Sequence, residues 1–156
     1  MEFSLANKSV EAYKIAHLCE KKYFQGKSDA LDCLQRLLEA SIEVSDSTSG
    51  FWHFLQPIQT TNWLGIQGKG MPAEEEKQWK EVVNMAYQED SPTLLHYPAS
   101  LIPNSQEQDI PLLQWPLFVD GTPLACMVLY RHKDPYLPEN FTSLEPICRA
   151  AWQIVR

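Results

Sequence analysis

Residues 114–130 read QWPLFVDGTPLACMVLY and contain the clearest structural signal in the chain. Two apolar runs rich in strand-forming residues flank the dipeptide Asp120-Gly121. Both central residues of a type I′ turn need a positive φ angle, and Asp-Gly between two such runs is a strong hairpin signal for that reason. The stretch therefore predicts two antiparallel strands joined by a two-residue turn.

A helix is predicted after this hairpin. Residues 134–139, DPYLPE, contain two prolines and break the second strand. Beyond them apolar residues recur at helical spacing, which indicates one buried helix face. These residues are Phe141, Leu144, Ile147, Ala151 and Ile154.

Two helices are predicted before the first strand. The first covers residues 9–24, and Gly26 is placed to end it. Ser28 is placed to cap the second, whose first turn contains acids that suit the positive end of a helix. Each helix has an apolar stripe, made by Ala12, Ile15, Ala16, Cys19 and Tyr23 in the first and by Leu31, Leu34, Leu38 and Ile42 in the second.

Two strands are predicted next. Residues 51–55, FWHFL, form a short aromatic run that is typical of a strand buried on both faces. Pro57 is expected to end this strand. Residues 60–66 then predict a second strand, which the glycines that follow would close.

The segment between the second strand and the hairpin predicts a helix, a short strand and a loop. Residues 93–97 predict the strand because Pro92 and Pro98 flank them, and residues 99–109 predict a polar surface loop. The helix, residues 73–88, has one buried face at i, i+3, i+4 and i+7, formed by Trp79, Val82, Val83 and Ala86.

This order of elements predicts one mixed α/β (α+β) domain over residues 1–156, with an N-terminal helix at 9–24 and a core at 28–155. Helices before, between and after hairpin-joined strands indicate an antiparallel central sheet of about five to six strands with helices on both faces. A chain of 156 residues can bury a core of its own.

Charge and hydropathy exclude several classes of partner. The formal net charge of −7, from 13 basic and 20 acidic residues, argues against nucleic acid. No stretch reaches the roughly 20 apolar residues of a membrane span. The N-terminus lacks the basic and then apolar pattern of a signal peptide, so a cytoplasmic location is expected.

The sequence contains no recognisable metal site or catalytic motif, and it names no cofactor. A nucleophile elbow, a P-loop and a Gly-rich dinucleotide turn are absent. We expect the four cysteines to be reduced and mostly buried. The cysteines form no CxxC pair, and neither the cysteines nor the histidines are spaced like the ligands of a metal ion. The cysteines are Cys19, Cys33, Cys126 and Cys148, and the histidines are His17, His53, His96 and His132.

The order of these segments resembles the GAF domain, a small sensory α/β module, from about residue 28 to residue 155. Residues 34–44 resemble the first core helix of that family. Residues 50–55 and 62–68 resemble its first two strands, and the following helix resembles the one that closes over a pocket in family members.

The C-terminal third carries the rest of the resemblance. Residues 112–121 resemble the recurrent apolar-Pro-Leu strand, residues 124–130 the strand beside it, and residues 138–154 the terminal helix. The closely similar PAS fold is the main competitor. PAS domains usually lack long helices before the first strand and after the last, and both helices are predicted in this chain.

The resemblance implies a ligand pocket between the sheet and the helices and loops after the second strand. An indole ring can stack on a flat ligand and offer its N–H group. The alternative is that these aromatic and histidine side chains belong to the core, with their polar atoms satisfied locally. The candidate pocket residues are Trp52, Trp63, His96, Tyr97, Trp115 and Met127.

Two ligand classes of GAF domains fit this sequence poorly. Some members attach a bilin through a cysteine, often one followed by His, and none of the four cysteines has that neighbour. Others bind cyclic nucleotides, whose phosphate needs a cation or backbone donors. Lys69 could supply a cation, but the acids at residues 74–76 oppose it.

The resemblance implies a non-catalytic sensory or regulatory domain in signal transduction. It would bind a small molecule or mediate dimerisation and pass the signal to an output domain of a longer protein. We expect a homodimer through the terminal helices. Two alternatives stay open: a stand-alone enzyme similar to free methionine sulfoxide reductases, using Cys126, and a protein-interaction domain with a filled pocket.

Overall fold

The computed structural model describes residues 5–89, 91–98, 109–132 and 134–156. Within these ranges four α-helices, one short 3₁₀ turn and five strands follow one another along the chain. In order they are α1 (Leu5–Phe24), α2 (Ala30–Val44), β1 (Ser49–Ile58), β2 (Thr61–Leu64), the 3₁₀ turn (Ile66–Gly68), α3 (Ala73–Ala86), β3 (Thr93–Pro98), β4 (Asp109–Val119), β5 (Thr122–Tyr130) and α4 (Pro138–Val155).

The five strands form one antiparallel sheet in the order β2-β1-β5-β4-β3. The predicted β4–β5 hairpin is confirmed, with φ angles of 50° at Asp120 and 80° at Gly121. β5 lies at the centre. One edge pairs with β4 along the whole strand, and the other edge pairs with β1, aligning Met127 with Trp52. The sheet therefore brings the aromatic run of β1 beside the C-terminal hairpin.

Three helices cover one face of this sheet. α1, α2 and α4 pack on one another, and α2 and α4 lie against the strands. Their apolar stripes meet the inward side chains of β1, β4 and β5 in the larger core, which we call the helical-face core. Within the described part of the chain, no helix is both long enough and apolar enough to cross a membrane.

The fourth helix, α3, covers the opposite face. Trp79, Val82, Val83 and Ala86 are all buried there, as their spacing predicts. They pack on Phe51 and on alternate residues of β4 and β5. Gln114, itself buried, donates from Nε2 to the carbonyl oxygen of Val82 at 3.1 Å and ties β4 to the helix.

The N-terminal boundaries differ from the prediction. α1 begins at Leu5 rather than at residue 9, because the apolar periodicity starts only at Ala12 and gives no signal for the first turns. Asp29 caps α2 in place of Ser28. Its carboxylate accepts the backbone N–H of Asp32 at 2.8 Å.

The strand ends differ too. β1 continues through Pro57 to Ile58, so the expectation that Pro57 ends it is wrong. The missing N–H is tolerated because pairing with β5 stops at Phe54 and the register with β2 shifts between His53 and Ile58. β2 ends at Leu64, and the 3₁₀ turn replaces the last predicted strand residue. The predicted loop lies outside the described residues except for Asp109, which begins β4.

Gly50 marks a close approach between β1 and β5. A Cβ atom at this position would lie 2.5 Å from Cδ2 of Leu129 and 2.7 Å from the carbonyl oxygen of Val128. The Leu129 side chain can turn away, but the carbonyl is held in the strand ladder. The glycine therefore allows β1 to lie close to β5 at this end of the sheet.

Candidate functional site

A small cavity lies between the sheet and the N-terminal half of α3, and we call it the α3-side cavity. Phe51, Trp63, Trp79 and Tyr130 form its aromatic walls, and residues 65, 66 and 69–72 line it from the loop after β2. Its volume is about 150 Å³. Pockets for drug-sized ligands usually measure about 300–1,000 Å³, so this space is small for a nucleotide or a tetrapyrrole.

Strand alternation brings the aromatic walls together. Phe51 and Tyr130 project from β1 and β5 toward the same face, and Trp63 extends this face from β2. The ring centroid of Phe51 lies 5.4 Å from that of Trp63 and 5.0 Å from that of Trp79. Trp79 and Tyr130 stack at 5.4 Å. These spacings are typical of favourable aromatic pairs, so the walls pack on each other.

The loop at residues 65–72 is tied to the other face of the protein. Gly65 donates its backbone N–H to the carbonyl oxygen of Lys69 at 2.7 Å and closes the loop on itself. Gln67 and Gly68 have φ angles of 59° and 72°. The N–H of Gly68 donates to Oε1 of Gln35 on α2 at 2.8 Å. The loop that lines the cavity is therefore hydrogen-bonded to the helical layer.

Polar side chains beside the cavity are paired. The indole N–H of Trp63 donates to Oε1 of Glu76 at 3.1 Å. The Tyr87 hydroxyl donates to the carbonyl oxygen of His53 at 3.2 Å and lies 2.9 Å from Nδ1 of the same residue. Nδ1 accepts the hydroxyl proton in one tautomer of the neutral imidazole and donates its own hydrogen to the hydroxyl oxygen in the other.

His53 is held in its neutral form. Its ring lies 4.3 Å from that of Trp63, and the side chain is largely buried. Burial, and to a smaller extent the positive charge of Lys80, lowers the pKa of His53 to about 4, while Glu76 opposes the shift. Protonation would place an unsolvated charge among aromatic rings and add a second proton to the ring.

This pKa predicts a loss of stability in acid. As the pH falls below the ordinary pKa of about 6.5, the unfolded chain binds a proton at His53. The folded chain binds this proton only when the pH falls to about 4. The free energy of unfolding should therefore fall by about 2 kcal/mol between pH 7.5 and pH 4.5 through this group. Urea unfolding at both pH values measures the fall, with His53→Gln as the non-titrating control. Equal pH dependence in the two proteins would contradict the assignment.

The six residues proposed from the sequence do not share one face of the sheet. Trp63 alone among them lines the α3-side cavity within the described structure. Trp52 and Met127 are fully buried in the helical-face core, where the indole N–H of Trp52 donates to the carbonyl oxygen of Leu34 at 3.1 Å. Trp115 is half-buried on that same face and packs edge-on against Phe141 at 5.8 Å.

His96 and Tyr97 lie in the edge strand β3, opposite Pro111 and Ile110 of β4. Their side chains fall outside the described part of the structure, so their part in a pocket stays a prediction. Four residues of the cavity and its border are not predicted from the sequence, namely Phe51, Glu76, Tyr87 and Tyr130. Phe51 and Tyr130 were recognisable as same-face neighbours once the β1–β5 register was known.

The four cysteines are free and buried, as expected. Cys126 lies on the α3 face and Cys148 in the helical-face core. Burial raises the pKa of both thiols well above the ordinary value. In the ranges that the structure describes, no group of three His, Cys, Asp or Glu side chains is arranged to hold a metal ion.

No protein-family model and no curated protein matches the sequence. Solved structures do match the fold along nearly the whole chain. The GAF domain of a phosphoenolpyruvate-protein phosphotransferase from Coxiella burnetii superposes with a TM-score of 0.57 at 12% identity, covering 94% of this chain and 94% of that one. The corresponding Acinetobacter GAF domain gives 0.57 at 10% identity, with 99% and 94% covered.

A third solved structure agrees with these two. It is the A. aeolicus nlh2 GAF domain in an inactive state, with a TM-score of 0.53 at 13% identity and coverage of 98% of this chain and 94% of that one. At such identities the likeness concerns the fold, and it decides between the GAF and PAS architectures that the sequence suggested. The protein has the fold of a GAF domain.

Proposed function

We propose that this protein is a non-catalytic regulatory domain in signal transduction, in which aromatic side chains occupy most of the ligand position. The small volume of the α3-side cavity, about 150 Å³, carries the proposal. GAF domains of similar fold occur in phosphoenolpyruvate-protein phosphotransferases and in A. aeolicus nlh2, the latter described in an inactive state. These similarities support a role in which the domain controls another activity.

The helical layer is the proposed output surface, through homodimer formation. Val10, Tyr13 and Phe24 on α1 are 52%, 65% and 64% exposed. Their positions, together with that of His17, recur at intervals of three, four and seven residues and therefore share one side of the helix. Burial of this outward stripe against a second copy would supply apolar contact that the monomer lacks.

Charge on this stripe should weaken a dimer. Tyr13→Glu combined with Phe24→Glu is expected to raise the dimer dissociation constant at least about tenfold, because two carboxylates per copy would enter an apolar contact. Sedimentation velocity over a concentration series measures this constant. Met85→Glu, a substitution at a 44% exposed position on α3, is the control and should leave it unchanged.

Two results would contradict the homodimer. Wild-type protein that remains monomeric at the highest concentration removes the proposed contact altogether. Equal weakening by the α3 control would show that added negative charge, rather than the α1 stripe, controls association.

Binding of a ligand no larger than a single ring is the second candidate function of the α3-side cavity. An engineered apolar cavity of about 150 Å³ in another protein binds benzene, so the space here supports a ligand of that class. The glycines at positions 65, 68 and 70 favour movement of the lining loop. Native mass spectrometry of freshly purified protein, repeated after denaturation, tests both functions. A dimer without an adduct supports the filled pocket, whereas a non-covalent adduct identifies a ligand by its mass.

The cysteine-dependent enzyme is the least supported alternative. Catalysis by Cys126 needs a thiolate, and the complete burial that raises its pKa works against one. An assay with free methionine sulfoxide, on wild type and Cys126→Ser, tests the alternative directly. Turnover by the wild type that the serine variant loses would replace our proposal.

A further inference from the structure

A second cleft lies on the opposite side of the sheet from the α3-side cavity, between α1 and α2. Its volume is about 310 Å³. Cys19 of α1 and Cys33 of α2 both line it, and each is almost fully buried at its floor. Charged side chains, Lys22, Asp32 and Arg36, line the cleft around them. Two thiols from two different helices thus border one space that a small solute can enter.

The two cysteines are in direct contact. Sγ of Cys33 donates to the carbonyl oxygen of Cys19, with the sulfur and oxygen 3.6 Å apart. Because the Cα–C and C=O bonds of a residue together reach at most about 2.7 Å, the Cys33 sulfur lies within about 6.4 Å of the Cys19 Cα atom. In a disulfide the Cα atoms of the two residues are about 4.4–6.8 Å apart. Bridge formation therefore places the two Cα atoms in this range through a change of side-chain rotamer and a movement of α1 against α2.

Among the described residues, neither of the other two cysteines is hydrogen-bonded to a cysteine, and Sγ of Cys126 donates to the carbonyl oxygen of Met127. Cys126 belongs to the cluster under α3, and Cys148 belongs to the helical-face core. They lie on opposite faces of the sheet, although Cys126 is near enough to help raise the pKa of Cys148. The two provide internal controls, because they are as buried as the pair but do not line the cleft.

We propose that Cys19 and Cys33 form an intramolecular disulfide when hydrogen peroxide enters the cleft, and that this bridge fixes α1 against α2. One thiolate attacks a peroxide oxygen, the O–O bond breaks, and water leaves after a proton is taken up. The resulting sulfenic acid is attacked by the second thiol, the S–S bond forms, and a second water leaves. Two thiols and one hydrogen peroxide are consumed, and one disulfide and two waters are produced.

The surroundings of Cys19 explain why the pair is reduced in the absence of oxidant. Burial and the neighbouring Cys33 raise the pKa of Cys19 to about 11, while Arg36 and Lys22 oppose the shift. The thiol is therefore protonated at neutral pH and reacts slowly, which keeps the pair reduced until oxidant accumulates. The bridge would close the loop from Cys19 to Cys33, which contains the end of α1, the connection to α2 and the first turn of α2. This closure would restrict the conformations of the unfolded chain.

Oxidation of the folded full chain tests the inference. The protein is treated with hydrogen peroxide at pH 8, free thiols are alkylated, and intact and peptide masses are measured without reduction. We expect loss of the mass of two hydrogen atoms, a cross-linked peptide joining Cys19 to Cys33, and reversal by dithiothreitol. The melting temperature should rise by about 5–10 °C in the bridged form.

Matched variants show which thiols react. Cys19→Ser and Cys33→Ala should each abolish the mass loss and the rise in melting temperature, whereas Cys126→Ser should keep both. Circular dichroism verifies that each variant is folded. If only one of Cys19→Ser and Cys33→Ala folds, that variant alone is enough for the test. Four alkylated cysteines after peroxide treatment, a mass loss that persists without Cys19, or a doubled mass from a bridge between two copies would each overturn the proposal.

Discussion

Replacement of Trp52 by alanine is expected to lower the free energy of unfolding by about 3–5 kcal/mol. The side chain is 0% exposed and belongs to the helical-face core. Its indole N–H donates to the carbonyl oxygen of Leu34, so the ring also connects β1 to α2. Alanine removes the ring, leaves a cavity between sheet and helices, and deprives that carbonyl of its extra donor. Guanidinium unfolding followed by circular dichroism measures the loss.

Two further variants separate the contributions of Trp52. Trp52→Phe keeps most of the apolar contact and removes the N–H group, so we expect a loss of about 1–2 kcal/mol. Tyr13→Ala, at a 65% exposed aromatic position on α1, should change stability by less than about 0.5 kcal/mol. If Trp52→Ala were as mild as Tyr13→Ala, the ring would not be a core residue, and a role in ligand binding would regain support.

The elements that the sequence predicts best are those with strong local signals. The Asp120-Gly121 turn needs positive φ angles that few other residue pairs accept, and it forms as predicted. The face of α3 that contains Trp79 depends only on helical periodicity within one segment. Such signals involve residues close in sequence, so a single chain contains all the information that they need.

The composition of the candidate site depends on contacts between distant segments. Alternation along β1 indicates that Trp52 and Phe51 face opposite ways, but the packing of α3 decides which face borders the cavity. The sequence predicts Trp52 as a pocket residue, but Phe51 lines the cavity instead. Tyr87 reaches His53 across 34 positions of sequence, and no local pattern indicates that contact.

Replacement of Trp79 by alanine should convert the small α3-side cavity into a binding site for indole. The side chain is 3% exposed, and its ring packs on Phe51 and Tyr130 in the cavity wall. We expect the substitution to cost about 3–5 kcal/mol of unfolding free energy. Indole should then restore about 0.4–1.4 kcal/mol at concentrations of one to ten times its dissociation constant, because it binds only the folded state. Thermal unfolding with and without indole measures both effects.

The outcome also distinguishes a filled pocket from an open one. Val83→Ala, a buried substitution on the same helix, removes too few atoms to admit indole and should show no recovery. Wild-type protein should also be unaffected, because with Trp79 in its wall the cavity holds only about 150 Å³, which suits a single ring rather than the two rings of indole. Stabilisation of the wild type by indole would mean that the cavity opens without mutation, since a ligand raises stability only by binding the folded state. The regulatory signal would then be the closure of residues 65–72 over a ligand, reported to α2 through the hydrogen bond between Gly68 and Gln35.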